Sequence, residues 1–168
     1  MKIQKKNLIY ETDKTITVVT ESSHYYPNLD NLNNPKKIAE MFETVYHISS
    51  QVEEHLYLLC LDNKYRSLGV FDVSHGGIDF SIANSRSIFQ RALLVGASRI
   101  VLAHNHTSGE INPSKNDYEV TKKIKSAGVL MDVPLTDHLI IGKLSDFSMI
   151  DYFSFAEQTD ELKTNVYE

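Results

Sequence analysis

Apolar and polar positions alternate with a period of two over residues 7–20, interrupted at Thr12-Asp13-Lys14, which predicts a β-hairpin turning there. The following stretch, Tyr26 to Asn34, is crowded with Asn, Asp and Pro and reads as loop. A helix then starts at Asn34-Pro35: Asn34 suits the N-cap, and Pro35, with fixed φ and no N–H, suits the first helical position. Ile38, Met41, Phe42 and Val45 recur at helical spacing and give that helix one apolar face. Leu56 to Leu61 is a short unbroken apolar run ending at the Asp62-Asn63-Lys64 turn, the pattern of a strand buried on both faces. Ser67 to Val73 and Ile78 to Ile82 read as two more strands, separated by the His75-Gly76-Gly77 turn.

Ser85 to Val95 has helical spacing, with Ile88, Phe89, Ala92 and Leu93 inward and Gly96 closing it. Arg99 to His104 is a β-branched apolar strand. A polar loop, Thr107 to Asn112, leads to a helix from Pro113 or Ser114 to Ala127, with Gly128 expected as its C′ cap. Val129–Pro134, His138–Ile141 and Phe147–Ile150 are expected as strands, and the tail after Phe155 is acidic and frays or forms a short helix. No repeat or low-complexity tract interrupts this order. It implies an α/β or α+β architecture, one mixed sheet with helices packed against it.

With 168 residues the chain suits one domain with a real core, and 42% apolar against 23% charged residues is ordinary for a soluble globular protein. No apolar run approaches the ~20 residues that span a bilayer, and no apolar segment follows the basic start Met1 to Lys6, so neither a membrane partner nor a signal peptide is expected. Cys60 is the only cysteine and sits in an apolar run, which fits a buried thiol and a reducing, cytoplasmic setting. The net charge of −5 speaks against a nucleic-acid surface.

The chemistry concentrates in Ala103-His104-Asn105-His106, followed after ten intervening residues by Asp117. Two imidazoles and a carboxylate form the protein part of a zinc site with one open position, the mark of a catalytic rather than a structural zinc. At a strand end, His104 and His106 face the same way and Asn105 turns aside. A hydrolase also needs a general base. Glu54, at the mouth of the Leu56–Leu61 strand, is one candidate; Glu53, one residue off, faces the opposite way, and both also fit as strand-edge surface charges. Ser114-Lys115-Asn116-Asp117 has the form of a capping box, so Asp117 and Ser114 read as helix-start residues, as ligand and oxyanion donor, or as both. His24, His47 and His55 have no ligand-spaced partner, His75 sits in a glycine turn, and His138 either lines the site or is a satisfied core histidine.

These residues carry a resemblance. His104-x-His106 with Asp117 after ten intervening residues, and Ser114 three before it, resembles the JAMM (MPN-type) metalloprotease motif. The runs His104-Asn105-His106-Thr107-Ser108-Gly109, Pro113-Ser114-x-x-Asp117, Thr136-Asp137-His138-Leu139-Ile140-Ile141-Gly142 and Glu54 to Asp62 are similar to its bacterial RadC-like branch. The resemblance covers roughly residues 35–150. It implies a JAMM/MPN fold, a curved mixed sheet flanked by helices in a cytidine-deaminase-like layout. It implies Zn2+ on His104, His106 and Asp117, with Glu54 as general base and Ser114 as oxyanion donor. The expected organisation is an N-terminal hairpin and loop over 1–34, the RadC-like domain over 35–155 and an acidic tail over 156–168. The family's usual Pro after the second His is Thr107 here, and its usual Pro-Arg-Glu triplet is Ser85-Arg86-Ser87.

The function expected on this basis is zinc-dependent hydrolysis of a peptide or isopeptide bond in a protein or peptide substrate. The alternative is a non-catalytic zinc-binding RadC-like module in a DNA-repair or protein-interaction complex; nucleic acid is suggested by that branch and disfavoured by the charge. A zinc deaminase needs a Pro-Cys-x-x-Cys pair that a chain with Cys60 alone does not have.

Overall fold

The computed structural model describes residues 1–26, 31–76, 84–143 and 150–162. Along the chain these form β1 (Lys2–Tyr10), β2 (Ile16–Tyr25), α1 (Pro35–Tyr46), a 3-10 turn (Ile48–Ser50), β3 (His55–Leu61), β4 (Ser67–His75), α2 (Ser85–Leu94), β5 (Arg99–His104), α3 (Lys115–Leu130), β6 (Leu135–Lys143), β7 (Ile150–Ser154) and α4 (Phe155–Gln158). The described strands make one mixed sheet in the order β2-β1-β4-β3-β5-β6-β7. The expected strand Ile78–Ile82 lies outside the described residues, as do residues 147–149 of the expected strand ending at Ile150.

β3 is apolar from Leu56 to Leu61 and β5 from Ile100 to Ala103 because both of their faces are covered there. Tyr57, Leu59, Leu61, Val101 and Ala103 pack with Ile38, Met41 and Phe42 of α1 on one face. Leu56, Leu58, Cys60, Ile100 and Leu102 pack with Ile88, Phe89 and Ala92 of α2 and with Val120 and Ile124 of α3 on the other. Leu93, expected inward, is half exposed at 52%, since the α2 face that meets the sheet is filled by its neighbours one turn back.

The N-terminal hairpin is longer than its alternation predicts, pairing Lys2 with Tyr25 and Tyr10 with Ile16 across a bulge at Lys5/Lys6. It joins the sheet through a parallel contact of β1 with β4 at Lys5 and Val70. α1 begins as the sequence implies: the Asn34 side chain accepts from Lys37 N at 2.9 Å, and Pro35 is in the first turn. β5 and β6 run parallel, connected through α3, while β3 runs antiparallel to β5.

The end of α3 departs from expectation. Gly128 lies inside the helix, which continues to Leu130, and the left-handed turn falls on Asp132 (φ 53°). Val129–Pro134 is therefore helix end and turn rather than strand. Gly128 is required for closeness: a Cβ there would stand 2.7 Å from Val133 O and 3.2 Å from Leu135 N. The turn back into β6 presses directly on the helix.

Asp137 ties β6 to α4. It is 4% exposed and accepts from His138 N at 2.7 Å, Ala156 N at 3.0 Å and Ser154 Oγ at 2.7 Å. Burial outweighs those bonds and pushes its carboxyl up to about 6.

Two outcomes are expected. Gly128→Ala gains up to ~1 kcal/mol of helix propensity, yet overpacking against the turn leaves it less stable than wild type by roughly 1–3 kcal/mol in urea denaturation. For Asp137, the folded state holds its proton to higher pH than the unfolded chain does. Its contribution to stability is therefore fully present below the unfolded value near 4 and is lost as pH rises through about 6, by roughly 3 kcal/mol at most. Asp137→Asn should remove that loss, so the stability of the variant relative to wild type should rise between pH 4 and pH 7.

Candidate metal centre

Strand pairing builds the site. Leu56 lies opposite His104 in the antiparallel β3–β5 register, and continuing it by two residues sets Glu54 against His106. All four side chains belong on the sheet face covered by α3. The loop after β5 then returns the chain to the start of α3, where Asp117 faces the two histidines.

Glu54, His104 and His106 each offer a ligand atom within 4.8 Å of the others. The Nε2 atoms of His104 and His106 are 3.1 Å apart. Asp117 Oδ1 stands 3.3 Å from His104 Nε2, and Asp117 Oδ2 stands 3.4 Å from His106 Nε2. A tetrahedral ion with bonds of about 2.0–2.1 Å separates its ligand atoms by about 3.3–3.4 Å. Asp117 Oδ1 is buried and makes no hydrogen bond. A buried carboxylate oxygen in that condition, beside two imidazole nitrogens, fits a site for a cation.

The outer partners of the imidazoles define their tautomers. His106 Nδ1 is 2.9 Å from Glu110 O, and a carbonyl only accepts, so Nδ1 carries the proton and Nε2 faces the cluster bare in the neutral ring. His104 Nδ1 is 2.9 Å from His138 Nε2, and His138 Nδ1 is 2.7 Å from Thr121 Oγ1. The loop carrying Glu110 crosses β6 at Gly142, where a Cβ would come within 2.6 Å of both Gly109 O and Ile111 Cγ2. Gly142 thus lets the loop lie close enough to hold His106.

Burial lowers His104, against the pull of the Asp117 carboxylate. Asp117 raises His106, against burial. Burial alone would lift Asp117, but His104, His106 and Ser114 together hold it far below the usual carboxylate range. Glu54 is raised by burial, with His106 opposing and Asp117 adding to the shift. The site thus keeps one carboxylate ionised and shifts the other toward holding a proton.

Ser114 and Asp117 form the full capping box. Asp117 N donates to Ser114 Oγ at 3.2 Å, and Ser114 N donates to Asp117 Oδ2 at 2.7 Å. The Ser114 hydroxyl also donates to Asp117 Oδ2 at 2.6 Å. Its single proton is thereby committed to the carboxylate.

Residues 32–160 match the family described as RadC-like JAB domain, and the chain belongs to that family. It is 42% identical over 98 residues to a UPF0758 protein of Flavobacterium johnsoniae, covering 58% of this chain and 43% of that one. It is 39% identical over 118 residues to a UPF0758 protein of Finegoldia magna, covering 70% and 52%, and 33% identical over 131 residues to one of Pelobacter propionicus, covering 78% and 54%. The chain spans about half the length of these relatives. The mixed sheet flanked by helices is the architecture expected of a JAB/MPN-type α+β fold.

The structure brings Glu54, His104, His106, Ser114 and Asp117 together. Glu53 turns elsewhere, its carboxylate 3.7 Å from where a Cβ on Gly76 would lie. His55 is 3.2 Å from Asp72 Oδ2 and stacks between Tyr57 and His75, away from the cluster. Of three further contributors, His138 reads from the sequence as either lining the site or a core histidine, and Thr121 and Asn105 have no role in the sequence reading. His138 is fully buried against His104; Thr121 closes its far side; and Asn105, 1% exposed, stitches the site together. Asn105 Oδ1 accepts from His55 N at 2.9 Å, and its Nδ2 donates to Glu53 O at 3.0 Å. It therefore grips the backbone on both sides of Glu54. Only the odd position between the two histidines hinted at it.

Asn105→Ala leaves those backbone groups without their partner. It should cost about 1–3 kcal/mol in urea denaturation and accelerate hydrogen exchange at the His55 amide; unchanged exchange there would argue that the start of β3 is held by other means.

Proposed function

We propose that this chain is a zinc-dependent hydrolase of the JAMM type that cleaves a peptide or isopeptide bond. The observation that carries the reading is the convergence of His104 Nε2, His106 Nε2 and the Asp117 carboxylate at edges of 3.1, 3.3 and 3.4 Å, with Glu54 beside them. His104, His106 and Asp117 would hold the zinc. Zinc, when bound, brings the pKa of a water down toward neutrality and polarises a carbonyl.

The remaining steps belong to side chains. Glu54, lifted by burial, accepts the proton of the attacking water on its carboxylate and returns it to the leaving amine. His106 and Asp117 bear on the charge of Glu54 in opposite senses. The Ser114 hydroxyl donates to the developing oxyanion after turning from Asp117 Oδ2, which the Ser114 backbone N–H continues to hold at 2.7 Å.

A second reading, a zinc-binding module without catalysis, is favoured by that same Ser114 bond, since the hydroxyl as it stands serves the helix cap. The two readings differ in one experiment. Glu54→Gln should retain the zinc content of wild type by elemental analysis. It should lower the release of new termini from a denatured-proteome peptide mixture, counted by mass spectrometry, by at least ~10²-fold. A variant that cleaves as wild type does sinks the role of Glu54. A zinc-loaded wild type that releases no new termini supports the non-catalytic module.

A further inference from the structure

We propose that Thr121 and His138 are positioning residues of the metal centre: the Thr121 hydroxyl, acting through His138, holds His104 in the tautomer whose bare Nε2 faces the ligand cluster. The inference rests on the metal-binding half of the function proposed above, and not on catalysis.

The argument starts from an oxygen that has no proton to give. Thr121 Oγ1 lies 2.6 Å from the Asp117 backbone carbonyl oxygen. Two oxygens that close need a proton between them, and the carbonyl has none, so the hydroxyl donates. A hydroxyl has one proton. Toward His138, 2.7 Å away, Thr121 can therefore only accept, and His138 carries its proton on Nδ1. In the neutral ring Nε2 is then an acceptor. His104 Nδ1, 2.9 Å from it, must donate. With its proton on Nδ1, neutral His104 turns an unprotonated Nε2 to His106 and Asp117.

The opposite polarity is the only other self-consistent arrangement. Thr121 would donate to His138, His138 to His104, and His104 Nε2 would present a hydrogen where a cation needs a lone pair. The 2.6 Å contact with the Asp117 carbonyl selects against it. The surroundings support neutral, fixed rings: Thr121, His138 and His104 are all 0% exposed, and Phe155 stacks on His138 at 5.1 Å and 13°. The chain of bonds begins and ends on ligand residues, leaving His104 and returning to the backbone of Asp117. One helix thus supplies a ligand and, one turn later, the hydroxyl that prepares another.

The test uses the whole chain with Thr121→Val, which keeps the shape and removes the hydroxyl, and Thr121→Ser, which restores it. Zinc affinity is read by competition with a chelating dye, and the His104 tautomer by long-range ¹⁵N–¹H correlation on zinc-free, ¹⁵N-histidine-labelled protein. Thr121→Val should bind zinc about 10–100-fold more weakly and shift His104 toward the Nε2-protonated form. Thr121→Ser should match wild type in both. Wild-type affinity and an unchanged His104 tautomer in Thr121→Val would overturn the proposal, as would failure of Thr121→Ser to rescue a folded protein. A wild type that takes up no zinc would refute the metal reading itself, and the tautomer measurement on zinc-free protein would still decide the relay.

Discussion

The antiparallel register that sets Leu56 opposite His104 is the constraint on which the centre depends. Side chains alternate along a strand, so a slip of one residue would carry Glu54 to the α1 face of the sheet and leave the histidines facing a backbone. Two buried apolar faces make that slip costly. Leu58 and Cys60 belong under α2 and α3, Leu59 and Leu61 under α1, and the two sets of neighbours differ in shape. Asn105 adds a polar lock at the one place where the apolar pattern ends. The precision of a polar cluster is in this way delegated to hydrophobic packing several residues away.

The cluster itself is held against its own electrostatics. Two imidazole nitrogens 3.1 Å apart, next to an ionised carboxylate, crowd lone pairs that a cation among them would relieve. The fold resists this through contacts behind each group. Glu110 O secures His106, His138 secures His104, and the N-terminus of α3 with Ser114 secures Asp117. Each support fixes a donor direction as well as a position, which is what separates a prepared site from a chance meeting of ligand types.

Much of this was legible in the sequence where the signal is local. The His-x-His pair at the end of a buried run, the capping box from Ser114 to Asp117, and the Asn34-Pro35 helix start are all patterns a few residues long. Glu54 and Glu53 could not be separated by spacing without knowing which strand lies beside β5. His138, Thr121 and Asn105 were harder. Their bonds span 34, 17 and 50 residues, and nothing near them in the chain marks the partner. Gly128 misled because a glycine near a helix end resembles a cap, whereas the close approach of Val133 and Leu135 is tertiary. The apolar stretch from Val129 suited either period and was too short to decide between them.

The sequence distances between the site's members also bear on how the protein assembles. Asp117 follows His104 by 13 residues, within a single strand–loop–helix unit, whereas Glu54 precedes it by 50. Closing the longer loop costs about 1 kcal/mol more in chain entropy, and it waits on a non-local strand pairing. The β5–α3 segment can therefore gather His104, His106 and Asp117 early in folding. The acidic residue joins them only when β3 docks, so the chemistry of the cluster becomes complete at the moment the central sheet does.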